Sequence, residues 1–211
     1  MPDSPASATT AAAAAAISPS TRVGPDGRAR CAWVGDVDEL RAYHDDEWGH
    51  PVRGDEALFE RIALEGFQSG LSWLTILRRR EHFRAAFAQF DPSAVAAFTE
   101  ADVQRLLDDA GIIRNRRKIE ATIANARALV AWQAEHPHGL DALVWSFAPE
   151  PSARQRPVTL ADVPAATDAS RALAAALRER GFRFVGPTTM YALMQATGVV
   201  DDHVAGCWRA A

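Results

Sequence analysis

Two short stretches hold side chains able to bind and discriminate a small aromatic ligand. Residues 43–49 supply Tyr43, His44, the carboxylates of Asp45, Asp46 and Glu47, and Trp48 before Gly49. Residues 65–73 supply Glu65 and Trp73, with Gly66 and the Ser69-Gly70 pair as small-residue breaks between them. A plain helical core would use Leu, Ile and Val. Aromatic rings beside acidic groups suit a lined pocket for a flat, electron-poor ligand such as a purine. The competing reading is that the tryptophans are ordinary core and the carboxylates an acidic helix start. These stretches alone do not decide between the two.

A second constellation is spread over the chain ends. Cys31 and Cys207 are the two cysteines of the chain, and His44 and His203 lie near them in sequence. His203 and Cys207 are four apart, so they share a face on a helical turn. Two thiolates and two imidazoles make a complete tetrahedral zinc set with no open position, which reads as structural. Such an ion would close a very long loop. The spacing contains no C-x-x-C pair. Two unrelated buried cysteines and two satisfied histidines remain the alternative, with His50, His82, His136 and His138 as other candidates.

A third group is basic. Gly111 leads through Ile112 into Arg114, Arg116, Arg117 and Lys118. A glycine-bearing turn that feeds a helix exposes backbone N–H groups and adds positive charge, which seats a phosphate. The alternative is a solvated basic turn. Arg78, Arg79 and Arg80 form a second cluster.

Helices must position these groups. Residues 36–44 read as a short helix with an acidic first turn. Leu58, Phe59, Ile62, Ala63 and Phe67 recur at helical spacing over 55–69, with Asp55 as cap and Glu65 near the C-terminal end. The helix dipole disfavours a carboxylate there. Residues 71–90 read as one helical run, followed by starts at Asp91-Pro92 and at the Thr99–Asp102 capping pattern. Further helices are expected over 116–132, 140–147, 167–180 and 188–196, with a Pro-rich irregular stretch at 149–163. No alternating strand of useful length is present. The expectation is an all-α fold of about eight helices, with segments before 70 and after 165 folded back on each other.

Length and composition bound the function. The chain has 211 residues, 48% of them hydrophobic, enough for one domain of ordinary core size. Residues 1–27, rich in Ala, Ser, Thr and Pro, are expected to be disordered. Residues 28–211 are expected to form a single domain of two helical lobes. The net charge of -4 excludes a global basic field, so contact with nucleic acid requires a local patch. The N-terminus lacks a secretory pattern and no apolar run is long enough for a membrane span. The cytoplasm is the expected compartment, and there a cysteine pair is more often a metal or redox site than a bridge.

The residues now carry a resemblance. Cys31 to Trp33, Ala42 to Gly49, Leu64 to Trp73, Phe90 to Pro92, Asp109 to Asn115, Val144 to Phe147, Arg180 to Gly186 and Asp202 to Cys207 fall in an order that resembles bacterial 3-methyladenine DNA glycosylase I. The resemblance implies a helix-hairpin-helix glycosylase that removes 3-methyladenine from alkylated double-stranded DNA without a lyase step, acting as a monomer. It implies structural zinc on Cys31, His44, His203 and Cys207. It implies Tyr43 and Trp73 as stacking walls, Trp33 and Trp48 as further lining, and Glu65 as the residue that reads the base edge first and as the candidate catalytic group second. It implies DNA contact along Ile112 to Lys118, and assigns no aspartate to the sugar. Two positions depart from the family pattern, which often carries Tyr where Leu40 stands and Gln where Phe67 stands. The alternatives are a damaged-base sensor without turnover, a metal-dependent hydrolase, and a zinc-clamped interaction domain.

Overall fold

In the computed structural model, which describes residues 20–150 and 155–210, ten α-helices carry the architecture. The first 19 residues, 151–154 and 211 lie outside the described residues, and with them most of the N-terminal segment expected to be disordered.

Helix α2 (Asp55–Gln68) is the axis of the molecule. Leu58, Phe59, Ile62, Ala63, Leu64 and Phe67 are all buried along it. It packs against α3 (Trp73–Leu77), α7 (Arg116–Gln133), α8 (Gly139–Ser146) and α10 (Pro187–Ala196). Its start is fixed by Asp55, although Gly54 rather than Asp55 holds the cap position. The Asp55 carboxylate accepts hydrogen bonds from Gln133 Nε2 (2.9 Å) and the backbone N–H of Asp141 (2.8 Å), so one buried group ties three helices together.

Other helices begin where sequence chemistry predicts. Helix α1 (Asp38–Asp46) carries two acids in its first turn. Asp91 caps α5 (Pro92–Ala96) by accepting from the N–H groups of Ser93 and Ala94. Thr99 and Asp102 form a capping box on α6 (Glu100–Asp108). Thr167 caps α9 (Asp168–Glu179) with Ser170 as its reciprocal partner. Each cap satisfies backbone donors that the first helical turn leaves without partners.

The continuous helix expected over 71–90 is broken. The chain forms α3, then α4 (Arg80–Ala86), then a 3-10 turn at Ala88–Phe90. Ala88, Gln89 and Phe90 all adopt positive φ between 51° and 58°. At the break, the Arg79 guanidinium donates to the carbonyls of Ala110 and Gly111. The fully buried side chains of Phe83, Phe87 and Phe90 reach the core around Phe59 and Phe67. Packing of these rings overrides helix propensity, which is weak by comparison.

The N-terminal boundary also differs from expectation. Strands β1 (Thr21–Val23) and β2 (Ala29–Cys31) pair antiparallel, so ordered structure begins before residue 28. Three-residue strands are too short for alternation to be legible. What holds the hairpin is Arg30, 3% exposed, whose guanidinium bridges Asp26 in the turn and Asp45 at the end of α1.

Among the described residues, no helix is long and apolar enough to cross a membrane. The buried side chains form two groups. The larger surrounds α2. The smaller joins Cys31, Tyr43 and Trp48 to Ala196, Val204 and Cys207, with Trp33, Trp73 and Trp208 packed against it.

Candidate functional site

A cavity of about 340 Å³ opens beside the smaller cluster. Glu65 and Gln68 reach it from α2, Tyr43 from α1, and Trp73 from the first residue of α3. Ser72 caps α3 and accepts from the Thr75 N–H, which fixes where Trp73 starts. Trp33 and Trp48 complete one aromatic side. The opposite side comes from late in the chain: Leu160, Val163, Ala192, Gln195, Ala196 and Asp202. All five pocket residues expected from the sequence therefore line one cavity. Gln68, Gln195 and Asp202 were not expected. Gln68 was legible as the next residue of a helix already read.

The aromatic geometry differs from a two-walled slot. Tyr43 and Trp73 have ring centroids 5.1 Å apart at 44°. A flat ring held between two others needs about 7–8 Å between them for contact on both faces. Tyr43 and Trp73 thus form a tilted aromatic corner that offers a flat ligand one face.

Glu65 is 5% exposed, and burial pushes its carboxyl up to about 8, with the Arg61 charge opposing. Its Oε2 and the Nε1 of Trp73 are buried without a hydrogen-bond partner in the protein. Unpaired buried polar atoms carry a desolvation penalty of roughly 1–3 kcal/mol each. A ligand offering both a donor and an acceptor removes it. Arg61 and Arg80 are engaged with Glu47 nearby. The Phe67 departure leaves the pocket untouched, because Phe67 is fully buried against Phe83 and Phe87. Leu40 is half-buried and lies outside the lining.

Behind the aromatic side, Cys31, His44, His203 and Cys207 converge. All four are buried and their ligand atoms lie within 4.8 Å of one another. Cys207 Sγ is 3.4 Å from His44 Nε2 and 3.6 Å from His203 Nδ1, and Cys31 Sγ is 3.9 Å from His203 Nδ1. Tetrahedral coordination at about 2.0–2.3 Å sets ligand spacings of about 3.3–3.8 Å, so the set fits a small metal ion. The outer nitrogens are also committed. His44 Nδ1–H donates to Asp45 Oδ1 (2.8 Å) and His203 Nε2–H to the Trp48 carbonyl (3.3 Å). Such partners fix the tautomer that leaves the inner nitrogen as ligand. Asp45 titrates at about 2: burial works against its charge, and hydrogen bonds from Arg30, His44 and Trp208 outweigh it. Hydrogen bonding to Cys207 and burial hold the Cys31 thiol high, while the hydrogen bond from Cys31 holds Cys207 low against the effect of burial.

The basic turn divides. Between α6 and α7, residues 109–115 form a tight turn, with Gly111 N–H on Asp109 and Asn115 capping α7. Arg114 and Arg117 are exposed and form no ion pair among the described residues. Arg116 is exposed but bridges Glu100 and Glu120. Ile112 is buried and anchors the turn. Lys118 corrects the expectation of a surface cation: its Nζ donates to the carbonyls of Phe67 (2.8 Å) and Ser69 (2.7 Å) at the end of α2. Burial lowers its pKa. In the second cluster, Arg78 pairs with Glu39 and Arg80 with Glu47.

A helical scaffold with a base-sized aromatic pocket, a buried carboxylate and a basic turn is a combination suited to handling a purine. A model of the family "Methyladenine glycosylase" matches residues 33–210. The chain is 51% identical over 178 residues to DNA-3-methyladenine glycosylase 1 of Escherichia coli (strain K12), covering 84% of this chain and 95% of that one. It is 44% identical to DNA-3-methyladenine glycosylase of Haemophilus influenzae (strain ATCC 51907 / DSM 11121 / KW20 / Rd) over 84% and 96% of the two chains. A crystal structure of 3-methyladenine DNA glycosylase I superposes with a TM-score of 0.80 at 49% identity, covering 85% of this chain and 98% of the other. The Staphylococcus aureus 3-methyladenine DNA glycosylase I, solved to explain 3-methyladenine recognition, gives 0.78 at 31% identity over 85% and 95%. The chain belongs to the methyladenine glycosylase family.

The Glu65 environment makes a stability prediction. Its carboxyl is neutral in the folded state up to about 8 but ionises near 4.5 when exposed. The folded state therefore holds the extra proton between these values, and stability contributed by Glu65 is complete below 4.5 and lost as pH rises to 8. Glu65→Gln is expected to match the parent near pH 4.5. Its advantage should grow to on the order of 1–4 kcal/mol by about pH 9. Urea denaturation of both proteins across this range checks it. A constant difference would place Glu65 in a wetter site.

Proposed function

We propose that the chain is a DNA repair enzyme that excises 3-methyladenine from alkylated double-stranded DNA by hydrolysing the N-glycosidic bond. The observation that carries this reading is the pairing of the unpartnered Glu65 carboxylate with the Tyr43–Trp73 corner in a cavity of base size. The family membership and a relative solved in complex with 3-methyladenine support the substrate.

N3-methylation makes the base cationic, so it departs as a neutral molecule and needs no strong general acid. The tasks left to the protein are to take the base out of the stack, to select it and to favour charge transfer to the sugar. Stacking on Tyr43 and Trp73 contributes roughly 1–3 kcal/mol per base. Trp33 and Trp48 close the aromatic side. The Glu65 carboxylate accepts from the exocyclic amino group, and the cationic ring restores the ionised form that burial disfavours. Glu65 is thus first a recognition residue, with a catalytic part only through charge. A hydrolase that uses a metal-bound water is disfavoured by a donor set with no open position.

Residues 100–133 form the helix-hairpin-helix element in this reading. Arg114 and Arg117, beside the free N–H groups at the α7 N-terminus, take a DNA phosphate. Zinc is the ion best matched to Cys31, His44, His203 and Cys207. Bound there, it supplies structural cross-linking of the two chain ends.

Release of free 3-methyladenine from methylated DNA by the purified protein tests the activity. Glu65→Gln is expected to slow release by roughly 10–100-fold, the size of losing one charge-assisted hydrogen bond. Unchanged turnover would remove the charge argument. Replacing Arg114 or Arg117 by Gln should each lower the salt slope of DNA binding by about one, whereas Lys118→Met should leave the slope alone. An equal effect of all three would place the DNA elsewhere. A zinc chelator strong enough to strip the protein is expected to lower its melting temperature sharply, since metal binding energy is folding energy. A protein isolated metal-free with an unchanged melting curve would end the zinc reading.

A further inference from the structure

The pocket holds a second carboxylate with different surroundings. Asp202 lines the same cavity as Glu65. Glu65 is 5% exposed and its Oε2 has no protein partner. Asp202 is half-buried, and its Oδ2 accepts two hydrogen bonds, from the Tyr191 hydroxyl (2.6 Å) and from Gln195 Nε2 (2.7 Å). Both donors stand on α10, one turn apart, so a single helix holds the group in place. Its Oδ1 takes no protein hydrogen bond among the described residues. On its far side Asp202 borders a separate cavity of about 290 Å³, which Tyr191 also lines.

Depth separates the roles of the two acids. A base swung out of a duplex enters its pocket ring first, and the attached deoxyribose stays nearer the opening. A fully buried carboxylate meets the base, and a half-buried one across the same cavity meets the sugar. We propose that Asp202 is a catalytic residue that faces the deoxyribose and stabilises the positive charge developing at C1′. This rests on the glycosidase reading above.

The chemistry balances with groups already named. The C1′–N9 bond breaks with its electron pair on N9, which cancels the cation of the methylated base. The positive charge passes to C1′ and the ring oxygen. A water oxygen then bonds to C1′, and its proton leaves to solvent. Charge that appears only in the transition state is where a pre-aimed anion accelerates a reaction. The two donors on Oδ2 hold the carboxylate without reorganisation and leave Oδ1 to act.

Single-turnover excision and free-base binding, measured side by side, test the assignment. Wild-type protein must first release 3-methyladenine from methylated DNA. If it does not, the glycosidase reading has failed and this inference with it. Given wild-type release, Asp202→Asn is expected to slow the chemical step by about 100-fold, the effect of losing one pre-aimed electrostatic group. Its affinity for free 3-methyladenine, followed by tryptophan fluorescence, should stay within about threefold. Tyr191→Phe keeps the carboxylate but frees its aim. It is expected to slow excision by roughly 3–10-fold with the same base affinity. An Asp202→Asn protein with wild-type rate overturns the proposal, as does one whose base affinity falls in step with its rate. If Asp202→Asn does not fold, Tyr191→Phe decides: a wild-type rate overturns the proposal, and slowed excision with intact base binding supports it.

Discussion

His203 sits with its ring 4.6 Å from Trp48 and its Nε2 where a methyl group on Gly49 would lie at 3.0 Å. Gly49 has φ of 80°, so both its conformation and its lack of a side chain admit the contact. Through it the last segment of the chain meets the first. Gly198 repeats the condition, with the Gly49 carbonyl and the backbone of His50 inside 3 Å of where its Cβ would be. The pocket and the Cys/His cluster depend on this closure. Residues 33–73 form one side of the pocket and residues 160–202 the other, and neither side is a pocket alone. The Cys and His side chains converge at the same seam, and the Arg30–Asp45 pair extends it to the N-terminal hairpin.

Electrostatics inside the seam is arranged by depth. Outside the pocket lining, carboxylates have partners: Glu47 lies between Arg61 and Arg80, and Asp45 between Arg30, His44 and Trp208. At the bottom, Glu65 has Arg61 only as a distant influence and prefers its proton. A neutral ligand leaves that preference unchanged. A cationic one reverses it, and the free energy of ionisation is then offset by attraction in a site that excludes water. In the proposed reading, selection by charge comes from withholding partners from Glu65. The aromatic corner adds attraction for the same charge.

Much of this was legible in the sequence because it is written in local chemistry. Caps at Asp91, Thr99 and Thr167, and the apolar period of α2, gave helices close to those observed. Tyr43, Trp48, Trp73 and Glu65 stood out because their types are uneconomical for plain core, but it was the resemblance that assigned them, with Trp33, to one pocket. What was missed depends on distant partners. The turn at Ala88–Phe90 follows from ring packing around Phe59 and Phe67, which no local rule encodes. Lys118 reads as surface charge in a run of cations, and only the end of α2 shows why it turns inward. Gln195 and Asp202 are unremarkable residues until the fold sets them across from Glu65. Residues 20–27 hold a single three-residue strand, too short to read, and the Asp26–Arg30 contact that steadies them joins the turn to β2.

Lys118 has a mechanical meaning. Its ammonium grips two carbonyls at the C-terminus of α2, where the helix dipole also favours a cation. The side chain is a strut between the helix that follows the basic turn and the helix that carries Glu65. Sliding one against the other would strip a buried charge of its acceptors, a loss of several kcal/mol by the usual cost of an unpaired buried ion. Turn and pocket thus keep a fixed span, like the jaws of a gauge. A duplex seated on the turn would present its bases at one set distance from the opening. The deformation that brings a base inside would then fall to the DNA.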